Sequence, residues 1–440
     1  MILERHLFGT DGVRGPAGEK LTAELAVRLG RAAASLADGR PPRALVVRDT
    51  RESGPMLETA VAAGLASAGA DVLLGGVAPT PAAAIGVLAD GLDLAVVVSA
   101  SHNPYRDNGI KFFGPDGHKL TDAQEAAIEA RLESEPPMTA RFGTVTPTDA
   151  PARRYARALT ARFEGLDLRG RHVLLDCAHG AAFEIAPTVF RALGARVTVI
   201  GDAPDGRNIN AGVGSTHPEA LVAAMTGGRY DAGFAFDGDA DRVVAVDRTG
   251  RRLDGDDLLV LSAAHLQRAG RLPGDGVAVT AMSNYGVRGA LAAEGIDVCE
   301  TPVGDRYLLA ALRERGWALG AEPSGHLIDR NFAPSGDGTA AALLCLEALG
   351  DRALADVEPF GRLPQAMINV TVAAGAKATA TDPRVRDAIR DAEEALVGRG
   401  RVLVRPSGTE PLVRVMAEAP SSAEAEAVCE TLAAAVTAAA

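Results

Sequence analysis

The chain has 440 residues, 47% of them hydrophobic and only 4% aromatic, enough for two to four ordinary domains packed mainly by Ala, Val and Leu. Its formal net charge is −12 and it has no Lys/Arg run, which argues against nucleic acid or an anionic membrane surface as a partner. The four cysteines, Cys177, Cys299, Cys345 and Cys429, are widely separated and form no CxxC, so neither a disulfide framework nor a zinc knuckle is indicated and a reducing compartment fits.

The first residues, Met-Ile-Leu-Glu-Arg-His, lack the apolar core of a signal peptide, and no apolar run reaches bilayer length, so a cytoplasmic protein is expected. Ala-rich helical patterns at 22–37 and 56–68 alternate with short apolar runs at 44–47, 72–74 and 94–98. That alternation implies a largely parallel sheet with crossover helices. A Pro- and Thr-rich stretch at 136–151 marks a joint near 150. The rhythm resumes with strands expected at 173–175, 197–200 and 232–236, followed by a polar joint at 248–256. It returns with a strand at 277–280 and helices at 305–315 and 338–349, up to a third joint at 359–364. Beyond it, a strand at 366–372, a helix at 383–396 and strands at 402–404 and 412–417 read as a small α+β unit. The expected architecture is α/β: three mixed-sheet α/β domains at 1–150, 151–252 and 253–365, plus a C-terminal α+β domain at 366–440.

Five short segments carry chemistry. Asp237-Gly-Asp239-Ala-Asp241-Arg242 follows a buried strand and places carboxylates at every second position, on one side of an extended loop. Three hard oxygen donors suit Mg2+, whereas an EF-hand is ruled out by Arg242 at its sixth position and Arg248 at its twelfth. Ser99-Ala-Ser101-His102-Asn-Pro104 ends another strand in a polar turn, where open α/β sheets place ligands. No glycine flanks these serines as in a hydrolase elbow, and Lys111 follows closely enough to return to the same place. Arg405-Pro-Ser407-Gly408-Thr409-Glu-Pro, with Arg414 beyond it, joins two strands and offers amides, hydroxyls and two guanidinium groups to a phosphate. Gly320–His326 brings together a carboxylate, a hydroxyl and an imidazole suited to sugar hydroxyls, and Phe8–Gly15 is a glycine-spaced loop carrying Arg14. No Walker-type loop is present.

In this order the segments FGTDGVRG at 8–15, SASHNPYRDNGIKFF at 99–113, DGDADR at 237–242, VGDRY at 303–307 and RPSGTEPLVRVMAEA at 405–419 resemble the α-D-phosphohexomutase superfamily over essentially the whole chain. The resemblance implies four domains, three of them related, around a central cleft, each giving one loop. It implies an isomerase that moves a phosphoryl group between O6 and O1 of a small-molecule phosphosugar through a phosphoserine and a 1,6-bisphosphate. It further implies a phosphorylated Ser101, and Mg2+ held by Asp237, Asp239, Asp241 and an oxygen of the Ser101 phosphate. Arg14, His102, Lys111 and Arg242 would line the transferring group, with either Lys111 or His102 taking the proton of the incoming hydroxyl. Glu322 and Ser324 would hold the sugar, and Arg405, Ser407, Gly408, Thr409 and Arg414 the unreacting phosphate. The amino-sugar branch, acting on glucosamine phosphate, is the closest in motif, with phosphomannomutase/phosphoglucomutase chemistry as the alternative. Pro323 departs from that branch, because proline offers neither a side-chain donor nor an amide N–H. A monomer or homodimer is expected. A non-catalytic sensor would have lost Ser101 or an aspartate, and a phosphatase would not need the two-arginine loop.

Overall fold

The computed structural model describes residues 7–9, 11–37, 40–134, 141–227, 229–372, 375–407 and 411–440. The first sheet collects β1 (Val13–Pro16), β2 (Arg43–Arg48), β3 (Asp71–Val77), β4 (Leu94–Val98), β5 (Asp107–Phe113) and β6 (Val145–Pro147) in the order β1-β5-β4-β2-β3-β6. Between these strands run α1 (Ala23–Ala34), α2 (Gly54–Ser67), α3 (Thr80–Ala89) and α4 (Asp122–Ser134). Thr22 starts α1 by accepting the Leu25 amide at 3.2 Å, with Glu24 in the first turn and Arg31 in the last, as the helix dipole favours. β4 reads Leu-Ala-Val-Val-Val and is buried at every position, the signature of a strand covered on both faces. β2, β3, β4 and β6 are parallel, but β5 returns antiparallel to β4 and β1 antiparallel to β5. The sheet is therefore mixed, as the expected domain architecture has it, although the alternation of runs alone implied a largely parallel one. The eight residues between β4 and β5 are too few for a crossover, so the chain can only turn back.

After α5 (Ala150–Arg162), the second sheet contains β7 (His172–Asp176), β8 (Arg196–Ile200), β9 (Ala232–Phe236), β10 (Val243–Val246) and β11 (Arg252–Leu253), with α6 (Ile185–Ala192) and α7 (Glu219–Met225). Its order is β11-β10-β9-β7-β8, a parallel core with an antiparallel margin. Val243 pairs with Phe236, so the aspartate segment is the loop of a β9–β10 hairpin. Next come α8 (Gly255–Arg268), β12 (Gly276–Thr280), α9 (Gly286–Ala293), β13 (Asp297–Thr301), α10 (Asp305–Arg315), β14 (Leu319–Ala321), β15 (Leu327–Asp329) and α11 (Gly338–Leu349). The third sheet runs β13-β12-β14-β15, and the 322–326 turn closes its β14–β15 hairpin.

The backbone divides into two compact units, Met1–Met282 with Val298–Glu358, and Ser283–Asp297 with Pro359–Ala440. The second contains β16 (Gln365–Thr371), α12 (Ala376–Ala380), α13 (Pro383–Ala395), β17 (Arg401–Pro406), β18 (Leu412–Glu418) and α14 (Ser422–Ala439). Its antiparallel sheet, β16-β18-β17, packs Val413, Val415 and Ala417 against Cys429, Leu432 and Val436 of α14. Buried Glu418 draws α9 into this unit by accepting the Tyr285 amide at 2.8 Å and Arg401 Nε at 2.8 Å.

Candidate active site

Ser101 lies just past the carboxyl end of β4, 1% exposed, with φ of +52°. That left-handed backbone is uncommon for a residue with a Cβ and persists only where neighbours enforce it. It turns the hydroxyl towards the β9–β10 hairpin, where Oγ donates to Asp237 Oδ2 at 2.5 Å. The hairpin comes close because Gly238 carries no side chain: a Cβ there would stand 2.6 Å from the Ser101 carbonyl oxygen.

Asp237, Asp239 and Asp241 are all buried, and a carboxylate oxygen from each lies within 4.8 Å of the others. The left-handed Ala240, φ +58°, sits in this turn. Three anions at this spacing cannot all be comfortable without a cation. Burial, then Asp241 and Asp239, push the Asp237 carboxyl well above its ordinary value. Burial also opposes charge on Asp241, but His326, Lys111 and Arg242 together outweigh it and hold that group well below the usual range. Asp239 Oδ2 accepts Lys111 Nζ at 2.8 Å and Thr80 Oγ1 at 2.7 Å. The second oxygens of Asp239 and Asp241, both buried, accept no hydrogen bond, and Arg242 Nε stands off Asp241 at 3.8 Å. Orphaned anionic oxygens side by side fit a hard divalent ion.

Cations surround this cluster. Lys111, on β5 opposite Val97, is 1% exposed, and its Nζ also lies 3.3 Å from Asp11. Burial is the main influence lowering its pKa, with Arg14 adding to it against the pull of Asp239. Arg14, opposite Gly109 on β1, pairs with Asp11. The Arg242 amide donates to Asp237 Oδ1 at 3.1 Å, and its guanidinium donates to His102 Nδ1 at 3.2 Å. A guanidinium has no acceptor, so His102 must present Nδ1 unprotonated. Burial, then Arg242 and Arg14, lower the His102 pKa in the same sense. His102 Nδ1 is 3.4 Å from Ser101 Oγ.

Glu322 and Ser324 lie in the hairpin turn of the third sheet. Glu322 accepts the Gly304 amide at 3.0 Å and the Ser324 hydroxyl at 3.2 Å. The turn rests on the second strand of the β9–β10 hairpin, since the Val243 amide donates to the Gly325 carbonyl at 3.1 Å. Pro323 uses its carbonyl to accept the Gly255 amide at 3.2 Å, so its contribution is to the backbone.

Within the first compact unit the structure thus gathers Ser101, His102, Lys111, Arg14, Arg242 and the three aspartates, with Glu322 and Ser324 on a loop bonded to the β9–β10 hairpin. It adds residues the sequence reading did not select. Asp11 binds Arg14, Lys111 and Lys119, and Lys119 binds Asp305 at 2.8 Å. His326 lies 3.6 Å from Asp241 and 3.8 Å from Asp305. Asp11, Asp305 and His326 fall inside segments already singled out, whereas Lys119 and Thr80 carry no sequence signal. In the second unit Arg405 is part of β17 rather than of the loop, because β17 runs to Pro406. Arg405 pairs directly with Arg414, and the Ser407 amide donates to the Leu412 carbonyl at 2.8 Å. Gly408 and Thr409 lie outside the described residues.

Four family models match in sequence: phosphoglucomutase/phosphomannomutase alpha/beta/alpha domain I at residues 5–138, domain II at 153–250, domain III at 254–358, and the C-terminal domain at 367–435. A phosphoglucosamine mutase from Burkholderia ambifaria (strain MC40-6) is 49% identical over 449 residues, covering 98% of each chain. One from Cereibacter sphaeroides (strain ATCC 17025 / ATH 2.4.3) is 47% identical over 444 residues, covering 99% of each. Among solved structures, a phosphoglucomutase/phosphomannomutase family protein from Burkholderia thailandensis superposes with a TM-score of 0.83 at 26% identity, over 98% of this chain and 97% of that one.

Proposed function

The chain belongs to the phosphoglucomutase/phosphomannomutase family, and we propose that it interconverts glucosamine 6-phosphate and glucosamine 1-phosphate through a phosphoserine at Ser101 and a 1,6-bisphosphate. It is a mutase, an isomerase that relocates a phosphoryl group within one substrate. The observation that carries the reading is Ser101 itself: a hydroxyl at a strand exit, 2.5 Å from a buried carboxylate triad and ringed by Lys111, Arg14 and Arg242. The amino-sugar preference is supported by 46–49% identity to proteins named phosphoglucosamine mutase. Pro323 departs from the amino-sugar pattern, and the alternative is a glucose or mannose phosphate.

Phosphoryl transfer depends on in-line placement and charge neutralisation more than on covalent assistance. Asp237, Asp239 and Asp241, with an oxygen of the Ser101 phosphate, would hold Mg2+, which when bound neutralises charge on the transferring group. Arg242 and Arg14 stabilise the same charge with fixed N–H donors. The Ser101 Oγ–P bond breaks as the sugar hydroxyl oxygen bonds to phosphorus, and the hydroxyl proton passes to a base. Sequence left Lys111 and His102 open for that role. Because Arg242 occupies His102 Nδ1, Lys111 Nζ is the group we assign, its burial favouring the neutral amine. The bisphosphate then presents its other phosphate to Ser101, and Lys111 returns the proton. Glu322 and Ser324 orient the sugar. Arg405, Ser407, Gly408, Thr409 and Arg414 are the proposed grip for the phosphate not in transfer. Among the described residues no helix is long and apolar enough to cross a membrane. A cytoplasmic mutase acting on a soluble phosphosugar, without nucleic acid or membrane as a partner, is part of this proposal. Turnover of glucosamine 6-phosphate by enzyme carrying phosphate on Ser101 tests it. A phosphorylated enzyme that leaves this substrate unchanged would refute it.

A further inference from the structure

We infer that Arg51 is a positioning residue for phosphoryl transfer, a clamp that holds the peptide groups of Ser101 in the left-handed geometry from which its Oγ gives and receives phosphate. Arg51 is fully buried in the turn between β2 and α2, outside every segment discussed so far. Its five N–H donors are all engaged. Nε donates to Asp49 Oδ2 at 2.8 Å. One terminal nitrogen donates to the carbonyls of Ser101 and Asn103, each at 2.8 Å. The other donates to those of Pro104 at 2.5 Å and Asp107 at 2.9 Å. Three of five bonds thus end on the loop that carries the reacting serine, and a fourth on the first residue of β5 that closes it.

Asp49 completes the clamp from the other side. The Ser101 amide donates to Ser99 Oγ at 2.9 Å, and that hydroxyl donates to Asp49 Oδ2 at 2.6 Å. Both peptide groups of Ser101 therefore answer to a single buried ion pair. Asn210 of the second sheet's domain adds a donor to the same carbonyls, Ser101 at 3.0 Å and Asn103 at 3.3 Å. A buried pair used only to join two elements would spread its bonds over both. This one directs most of them to the segment that follows β4, which holds a non-glycine residue, Ser101, at φ of +52°. A backbone so disfavoured reverts when its supports are removed, and the serine oxygen moves with it. Displacement of about 1 Å from the transfer line costs on the order of 10²-fold in rate without removing a substrate contact. The prediction is therefore a loss in kcat with KM preserved. Lysine cannot replace this guanidinium, since it has three donors and no planar fork.

The inference rests on Ser101 as the phosphoryl carrier, and the experiment separates the two. Peptide mass mapping of the wild-type enzyme locates the phosphate. R51K and S99A are then assayed with saturating glucosamine 6-phosphate and bisphosphate, with rates divided by the fraction of molecules phosphorylated on Ser101. The expected result is a kcat per phosphorylated site lower by ~10–10²-fold in R51K and ~10-fold in S99A, with KM within about threefold of wild type. If R51K does not fold, S99A alone decides. Wild-type-like kcat per phosphorylated site, or a loss confined to KM, overturns the clamp. Phosphate absent from Ser101 in the wild type overturns the carrier assignment instead.

Discussion

Arg405 and Arg414 stand directly opposite one another on the antiparallel strands β17 and β18. Like charges at opposed positions repel, and both guanidinium groups on one sheet face suit an anion. In the proposed reaction that anion is the phosphate not in transfer. Arg414→Ala removes one charge-assisted contact, worth roughly 1.5–3 kcal/mol, or about 10- to 100-fold in retention of the bisphosphate. The expected outcome is release of 1,6-bisphosphate into solution and activity that depends on adding it back. Activity unchanged by added bisphosphate would remove Arg414 from the grip.

Ser101→Ala deletes the oxygen proposed to carry the phosphoryl group while leaving the buried triad in place. Turnover should fall by at least ~10²-fold, because a water molecule cannot reproduce an oriented nucleophile. Intact-mass analysis should show one phosphate in the wild type and none in the variant. Phosphate persisting on Ser99 would relocate the nucleophile.

Asp239→Asn withdraws one of three anionic oxygens from the metal cluster and the partner of Lys111. Calorimetric titration with Mg2+ should give weaker binding, and activity should recover only partly at high Mg2+. Full activity of this variant after exhaustive chelation would show that the ion binds elsewhere.

Asp337 offers a test of stability against pH. It caps α11, accepting the Ala340 amide at 2.8 Å, and accepts the Tyr155 hydroxyl at 2.6 Å, while its second oxygen is buried without a partner. Burial raises its pKa from 3.8 to about 6. The folded state therefore holds a proton that the unfolded chain has already lost between about pH 4 and 6. Stability from this group is present below that window and falls as pH rises through it, by roughly 3 kcal/mol at most for two pH units. Asp337→Asn keeps an acceptor oxygen and removes the charge. Its melting temperature should vary less with pH across the window than that of the wild type. Parallel curves would mean that Asp337 does not titrate there.

The sugar preference is measured by kcat/KM for glucosamine 6-phosphate against the 1-phosphates of glucose and mannose. Glu322 has oxygens with lone pairs to spare beyond Gly304 and Ser324, and a carboxylate binds an ammonium about twice as strongly as a neutral donor. A preference for the amino sugar of ~10-fold or more is expected, about 1.4 kcal/mol. Equal or faster turnover of glucose or mannose phosphate would transfer the protein to the alternative specificity with its phosphoryl chemistry unchanged.

Much of this was legible in the sequence because it is local. Leu94–Val98 and Ala232–Phe236 are uninterrupted apolar strands, and each hands over to a polar loop at its carboxyl end, so Ser101 and the three aspartates could be placed without coordinates. Asp305–Arg315 and Gly338–Leu349 likewise announce themselves by helical spacing. What remained hidden depends on partners distant along the chain. Lys119 matters because Asp11 and Asp305 close on it from either side, and neither is near it in sequence. Arg51 reads as an ordinary residue of a turn, since nothing local shows that its acceptors lie about fifty positions onward. Mixed sheets were expected, but not which strands run antiparallel, because periodicity reports which faces are buried and not the direction in which neighbouring strands run.

The bond between Ser101 and Asp237 spans 136 residues of chain, and that separation sets a schedule. At synthesis rates of ~5–20 residues per second, the serine leaves the ribosome about 7–27 s before the carboxylate it needs. For the first 109 of those residues the loop lacks the Asn210 support as well. Under the proposed function, Ser101 therefore meets the carboxylate beside it only once the second sheet has been made.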